Sequence, residues 1–192
     1  MHDADIRRAL TARLDILHAG MTDALVRQEL GLESGQCFVD VAVITQTLHG
    51  YELKSERDTL RRLPRQVEVY GAVLDRATLV ASSTHLAAAL PLLPSWWGIE
   101  VAIVQGDGSV CLRTEREAQA NPGQQPLSVA RLLWRDEAQA LLETLGAAKG
   151  VRGKPREVLF ARLLEVMAPT ALAAAVCRVL RARTSWTPER GR

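Results

Sequence analysis

The stretch Phe38-Val39-Asp40-Val41-Ala42-Val43-Ile44, followed by Tyr51-Glu52-Leu53-Lys54 and then Gln66-Val67-Glu68-Val69-Tyr70, decides the fold. The first two runs predict strands and the third a helix. In a strand, alternate side chains share a face, so Phe38, Asp40, Ala42 and Ile44 are expected on one side and Val39, Val41 and Val43 on the other. Asp40 is a carboxylate in an otherwise apolar run. Buried alone it would cost several kcal/mol, so it calls for a cation or hydrogen-bond donors. Glu52 and Lys54, two apart, point the same way. A hairpin turning near His49-Gly50 would bring them to Asp40. Two carboxylates beside an ammonium make a hard oxygen site for Mg²⁺ or Mn²⁺, the chemistry that phosphodiester hydrolysis uses.

These residues resemble the PD-(D/E)XK nuclease superfamily, with Asp40 as its Asp and Glu52-x-Lys54 as its E-x-K half. Gln66-x-x-x-Tyr70 is similar to the further motif of its RecB-type branch. Glu29, expected on a helix from Thr22 to Leu30, matches the additional acid found there. Val39 stands where the name-giving motif has Pro. The run from Tyr51 through Arg62-Leu63-Pro64-Arg65 also looks like a small group of uncharacterised bacterial proteins assigned to this superfamily. The resemblance covers about residues 20–85. It implies an α/β fold: a restriction-endonuclease-like mixed sheet flanked by helices. It also implies a metal-dependent nuclease in which Asp40, Glu52 and the Leu53 carbonyl hold Mg²⁺ (or Mn²⁺), Lys54 positions the water, and Glu29 and Gln66 support the shell. Small nucleases of this kind work as dimers or in larger complexes, so a homodimer is an expected state.

Around this centre, residues 4–18 predict an amphipathic helix (Ile6, Leu10, Leu14, Leu17). Arg57, Arg61, Arg62 and Arg65 lie off the apolar stripe of the helix after Lys54. They can flank the site and meet phosphates, or be a solvated face. Tyr70 is expected to orient the Gln66 helix or touch substrate. Pro64 either starts that helix or kinks it. Residues 77–82 predict a strand parallel to an earlier one. A short helix over 85–93 follows, then a hairpin of 99–104 and 109–113. Trp96-Trp97 reads as core packing rather than a base-stacking surface, and His49 and His85 as structural.

Residues 118–127, rich in Pro, Gly and Gln, read as a linker dividing 1–120 from a small all-helical region at 127–192. In that region helices are expected over 128–145, from Pro155, and from Thr170. Lys149–Arg192 carries ten Lys/Arg against three Asp/Glu, and residues 1–148 carry fourteen against nineteen, within a net charge of +2. A basic segment suits a polyanion partner or is a solvated tail. Residues 141–164 are weakly similar to SAP-type DNA-binding modules, with Lys154 and Arg156 as candidate nucleic-acid contacts. The alternative there is a helical cap on the core.

Three scattered cysteines argue against a disulfide framework or zinc cluster and fit a reducing cytoplasm. No run approaches the roughly 20 apolar residues of a membrane span. Nucleic acid, above all DNA, is the expected partner. The rival readings are a catalytically silent nucleic-acid-binding module or adaptor in a repair or defence complex, and an interaction protein in which Asp40 and Lys54 form a structural ion pair.

Overall fold

The computed structural model describes residues 1–186. The last six residues of the expected basic region lie outside them. Helix α1 (Asp3–Leu17) leads into strands β1 (Leu25–Leu32), β2 (Cys37–Ile44) and β3 (Leu48–Lys54), helix α2 (Leu63–Val73) and strand β4 (Arg76–Ser82). Helix α3 (Ser83–Ala89), β5 (Gly98–Val104) and β6 (Val110–Arg116) follow. The chain closes with α4 (Pro126–Ala130), α5 (Arg135–Thr144), α6 (Arg156–Val166) and α7 (Pro169–Ala182). The six strands form one mixed sheet in chain order. β1, β2 and β3 run antiparallel, β4 pairs parallel with both β3 and β5, and β6 pairs antiparallel with β5. The fold is thus α/β, a mixed sheet flanked by helices with helices at its C-terminal end.

Each sheet face carries its own apolar layer. Ile6, Leu10 and Leu14 of α1 lie on Val41, Val43, Tyr51, Leu53, Val80 and Ala102. Each fully buried aliphatic side chain of that kind contributes about 1.5–3 kcal/mol. The other face packs against α2 and the C-terminal helices through Val39, Ile44, Leu63, Tyr70, Val73 and Leu79. Pro64 sits in the first turn of α2, where its missing N–H costs nothing. Trp96 and Trp97 are buried in the core, and Trp97 stacks on Tyr70 at 5.5 Å.

Five expectations are corrected. Residues 22–30 do not form a helix; Leu25–Leu32 is an edge strand. Its alternation is hidden because strict two-residue periodicity breaks within it. Gln28 pairs with Val41 and Leu30 with Val39, which sets Glu29 opposite Asp40. Glu29 has φ +55°, in the left-handed region. At this rung both strands swap faces: Leu25 and Leu30, five apart, serve the same layer, and Val39 faces away from Val41. The expected grouping of Val39 with Val41 and Val43 is therefore wrong.

The β2–β3 turn falls at Thr45–Thr47, where the Thr45 N–H bonds the Thr47 carbonyl (2.9 Å), and not at His49-Gly50. Gly50 lies inside β3 because a Cβ there would meet Leu74 at 2.5 Å. The expected helix over 128–145 is broken at 131–134. There Trp134 is extended, and its N–H is capped by Glu137 (2.7 Å).

The stretch 118–127 is no spacer. Asn121 Nδ2 donates to the Gly71 and Leu74 carbonyls (2.8 and 2.7 Å) and Gln124 Nε2 to the Val73 carbonyl (2.8 Å), tying off the end of α2. Beyond it, Leu142, Leu159, Phe160, Leu163, Leu172, Val176 and Leu180 join the same apolar cluster as the sheet. The boundary proposed between 1–120 and 127–192 therefore runs through one core. Over 141–164 the helix–loop–helix buries Ala148 and Val151 as well, which is the packed-cap arrangement. Among the described residues no helix is long and apolar enough to cross a membrane.

Candidate active site

β3 ends with Glu52 and Lys54 side by side on the α2 face, and both are almost fully buried. Lys54 Nζ donates to Glu52 Oε1, and Gln66 Nε2 donates to the same oxygen (2.6 Å). The Tyr70 hydroxyl, one helical turn beyond Gln66, lies 2.5 Å from Glu52 Oε2 and 3.0 Å from the Phe38 carbonyl. Its single proton goes to the charged acceptor, which makes the stronger bond. The Glu52 carboxylate thus gathers three donors from two elements. Gln66 Oε1 is buried without a partner.

Asp40 stands at the end of the β2–β3 ladder, whose last rung is Val41–Tyr51. One of its oxygens accepts the Leu53 N–H (2.8 Å). The N–H and C=O of one strand residue point to the same edge, so the Leu53 carbonyl also faces Asp40. Burial, and then the charge of Glu52, push the Asp40 carboxyl up to about 7; the Leu53 amide, Lys54 and Arg7 pull the other way. The structural ion pair weighed for Asp40 and Lys54 is not made: Lys54 bonds Glu52.

A pocket of about 480 Å³ opens here, lined by Glu29, Asp40, Glu52, Leu53, Lys54 and Gln66 among others. The sequence-derived acids, the lysine and the glutamine thus meet around one space. Glu29 reaches it from a strand. Arg62 and Arg65 line the pocket as well, both exposed, with Arg65 held by Glu68 (2.7 Å). Arg57 and Arg61 are exposed but are not lining residues, and neither are Lys154 and Arg156, which lie at the start of α6. Tyr70 is fully buried and is not a lining residue; its hydroxyl is held on Glu52.

The sequence reading missed several members. Arg7 of α1 donates from Nη1 to the Asp40 carbonyl (2.9 Å) and from Nε to Asp3 (3.2 Å), and its Nη2 lies 3.8 Å from Glu29. Nothing in the spacing of α1 marks it. Asp58 could have been found from the Ser55-x-x-Asp58 spacing: the Ser55 N–H and hydroxyl both bond its carboxylate (2.8 and 2.6 Å). Burial alone would raise the Asp58 carboxyl, but those two bonds leave it lowered. Phe38 also lines the pocket. On the opposite face His49 bonds Thr78 (2.8 Å) and stacks on Tyr51. Burial lowers its pKa to about 3, which fits a structural role.

Glu29 offers a direct test of the face-swapping rung. A left-handed backbone costs a non-glycine residue about 1–2 kcal/mol, and its 3.8 Å ion pair is exposed and contributes little. Glu29→Gly is therefore expected to keep or raise stability by up to about 1 kcal/mol, measured by urea denaturation. A loss of that size instead would mean that the side chain holds the rung.

Among the described residues no group of three or more His, Cys, Asp or Glu side chains is placed to hold a metal ion. Two carboxylates and a carbonyl suit the class of site that Mg²⁺ takes, since it binds one or two carboxylates and completes its shell with water and phosphate.

The family model described as bacteriophage P4 protein cII matches residues 2–187, and the chain belongs to that family. No curated protein matches. The SPO1766 protein of unknown function from Silicibacter pomeroyi is similar in structure. It is 18% identical, with a TM-score of 0.48, over 81% of this chain and 96% of that one.

Proposed function

We propose that this member of the bacteriophage P4 protein cII family is a metal-dependent nuclease that hydrolyses phosphodiester bonds, of DNA above all, in the cytoplasm. One observation carries the reading: Asp40, Glu52, Lys54 and Gln66, from two strands and a helix, converge on a single pocket. The order strands, helix, strand from β1 to β4 also supports the reading, although the helix that the PD-(D/E)XK resemblance implies over 22–30 is a strand here. Free thiols at Cys37, Cys111 and Cys177 support a reducing compartment.

The donor set fits a hard divalent cation. Asp40, Glu52 and the Leu53 carbonyl would hold Mg²⁺ or Mn²⁺, and the unpartnered Gln66 Oε1 supplies a further oxygen for water in its shell. Such an ion, when bound, polarises the phosphate and acidifies water. The chain's own groups do the rest. Lys54 has further N–H donors beyond the one on Glu52, with which to orient a water. Gln66 and Tyr70 hold the Glu52 carboxylate in place. Arg62 and Arg65 meet the flanking phosphates.

The test is incubation of the purified protein with circular and linear DNA and with RNA, in Mg²⁺, Mn²⁺ or EDTA. Cleavage that needs metal is the expected result. One observation favours a second reading, a silent nucleic-acid-binding module or adaptor: Glu52 already has three protein donors. Salt-sensitive binding without cleavage would select it. Neither binding nor cleavage would leave an interaction protein.

A further inference from the structure

We infer that the pocket takes an unpaired nucleotide, with its base stacked on Phe38 and its neighbouring phosphates on Arg62 and Arg65, so that the substrate is a single strand or a frayed end rather than intact duplex. The cleavage step rests on the nuclease reading above; the binding preference does not.

Phe38 is the single aromatic among the pocket-lining residues and is 49% exposed. The chain's other phenylalanine, Phe160, is buried, as are Trp96 and Trp97. The base-stacking role weighed for the tryptophans thus passes to a residue beside the carboxylates. The ring rests on two glycines: a Cβ at Gly31 would lie 3.4 Å from Phe38 Cε1, and one at Gly35 3.9 Å from its Cζ. Its backbone is fixed by pairing with Gly31 across the β1–β2 ladder. One side of the ring is therefore seated on backbone while about half of the residue stays open. A ring held in place at low entropic cost is what a stacking platform requires.

The other chemistry of a nucleotide is matched around it. Arg62 and Arg65 line the same pocket at the start of α2, and Asp40, Glu52 and Lys54 form its floor. A space of about 480 Å³ falls in the range, roughly 300–1,000 Å³, that takes one small ligand. One extruded or unpaired nucleotide enters a space of that size, while a stacked duplex remains outside.

The test is fluorescence anisotropy in EDTA with a labelled single-stranded DNA of about 12 nucleotides, within the ~4–16 that an OB-fold covers, its RNA counterpart, and the blunt DNA duplex. Binding of either single strand at least ~10-fold tighter than the duplex is expected. Phe38→Ala and Phe38→Leu should each weaken the single strand by ~5-fold or more, and Phe38→Trp should keep it. Phe38→Leu preserves most of the apolar contact with the glycines, so its loss of affinity reports the ring and not the fold. Equal or tighter binding of duplex, no binding of either single strand, or wild-type affinity in both Phe38→Ala and Phe38→Leu overturns the inference. Metal-dependent cleavage without the single-strand preference removes this proposal and keeps the nuclease. The preference without cleavage does the reverse.

Discussion

Replacing Lys54 by Met is expected to destabilise the protein by about 3–5 kcal/mol, the penalty for leaving a buried carboxylate without its cation. Glu52 is 1% exposed and Lys54 3%, so water cannot take the place of the ammonium. Met fills nearly the same volume as the lysine stem, so the loss reports charge and not a cavity. Gln66 and Tyr70 would remain on Glu52, yet neither brings a full positive charge. The double variant Lys54→Met with Glu52→Gln should recover most of the loss, because the amide removes the uncompensated charge and still accepts from Tyr70. The measurement is the urea midpoint at constant m-value. A loss below about 1 kcal/mol for the single variant would show that the pair is hydrated and the buried network is not as described. Buried ion pairs are weak devices for stability compared with apolar residues of the same size.

Asp40→Asn should move activity and stability in opposite directions. Under the nuclease reading, cleavage in Mn²⁺ falls at least ~1,000-fold, because the substitution removes a charged donor from the cation whose contribution is several kcal/mol. In metal-free protein the same change is stabilising at alkaline pH. The Asp40 carboxyl stands at about 7 in the folded chain, against about 3.9 when unfolded. Between these values the unfolded chain has released its proton and the folded chain has not. Wild-type stability therefore declines as pH rises from about 4 and levels off above about 7. Asn does not titrate, so its advantage is near zero at pH 4 and complete by pH 8. Allowing for the partial exposure of Asp40, it amounts to about 1–3 kcal/mol. Thermal or urea unfolding in EDTA at the two pH values reads it. An advantage equal at both pH values would contradict the crowding of Asp40 by burial and Glu52.

The centre of the fold was legible because β2 and β3 are short apolar runs against which an Asp, a Glu and a Lys stand out. Their meeting with Gln66 and Tyr70 follows once α2 crosses back over the sheet to β4. What was not legible has specific causes. Leu25–Leu32 carries neither helical nor strand periodicity, since the left-handed Glu29 reverses its faces halfway; only pairing with β2 reveals it as a strand. Gly50 looked like a turn residue, but its lack of a side chain answers to Leu74, distant in sequence. The polar run 118–127 has the composition of a linker, and the carbonyls it caps lie on another element. Arg7 belongs to the site through a contact made 33 residues away, which no local spacing encodes.

The shared interior has a practical consequence for the helical half of the molecule. A chain cut near Gln125 would bare part of this apolar layer to water, since α4 to α7 share it, α7 packing on β2 and α4 on α2. Such a fragment is expected to aggregate rather than to report whether the missing helices bind anything. Calorimetry of the intact chain should accordingly trace one melting peak, and the helical half can be interrogated only by surface substitutions, never by excision.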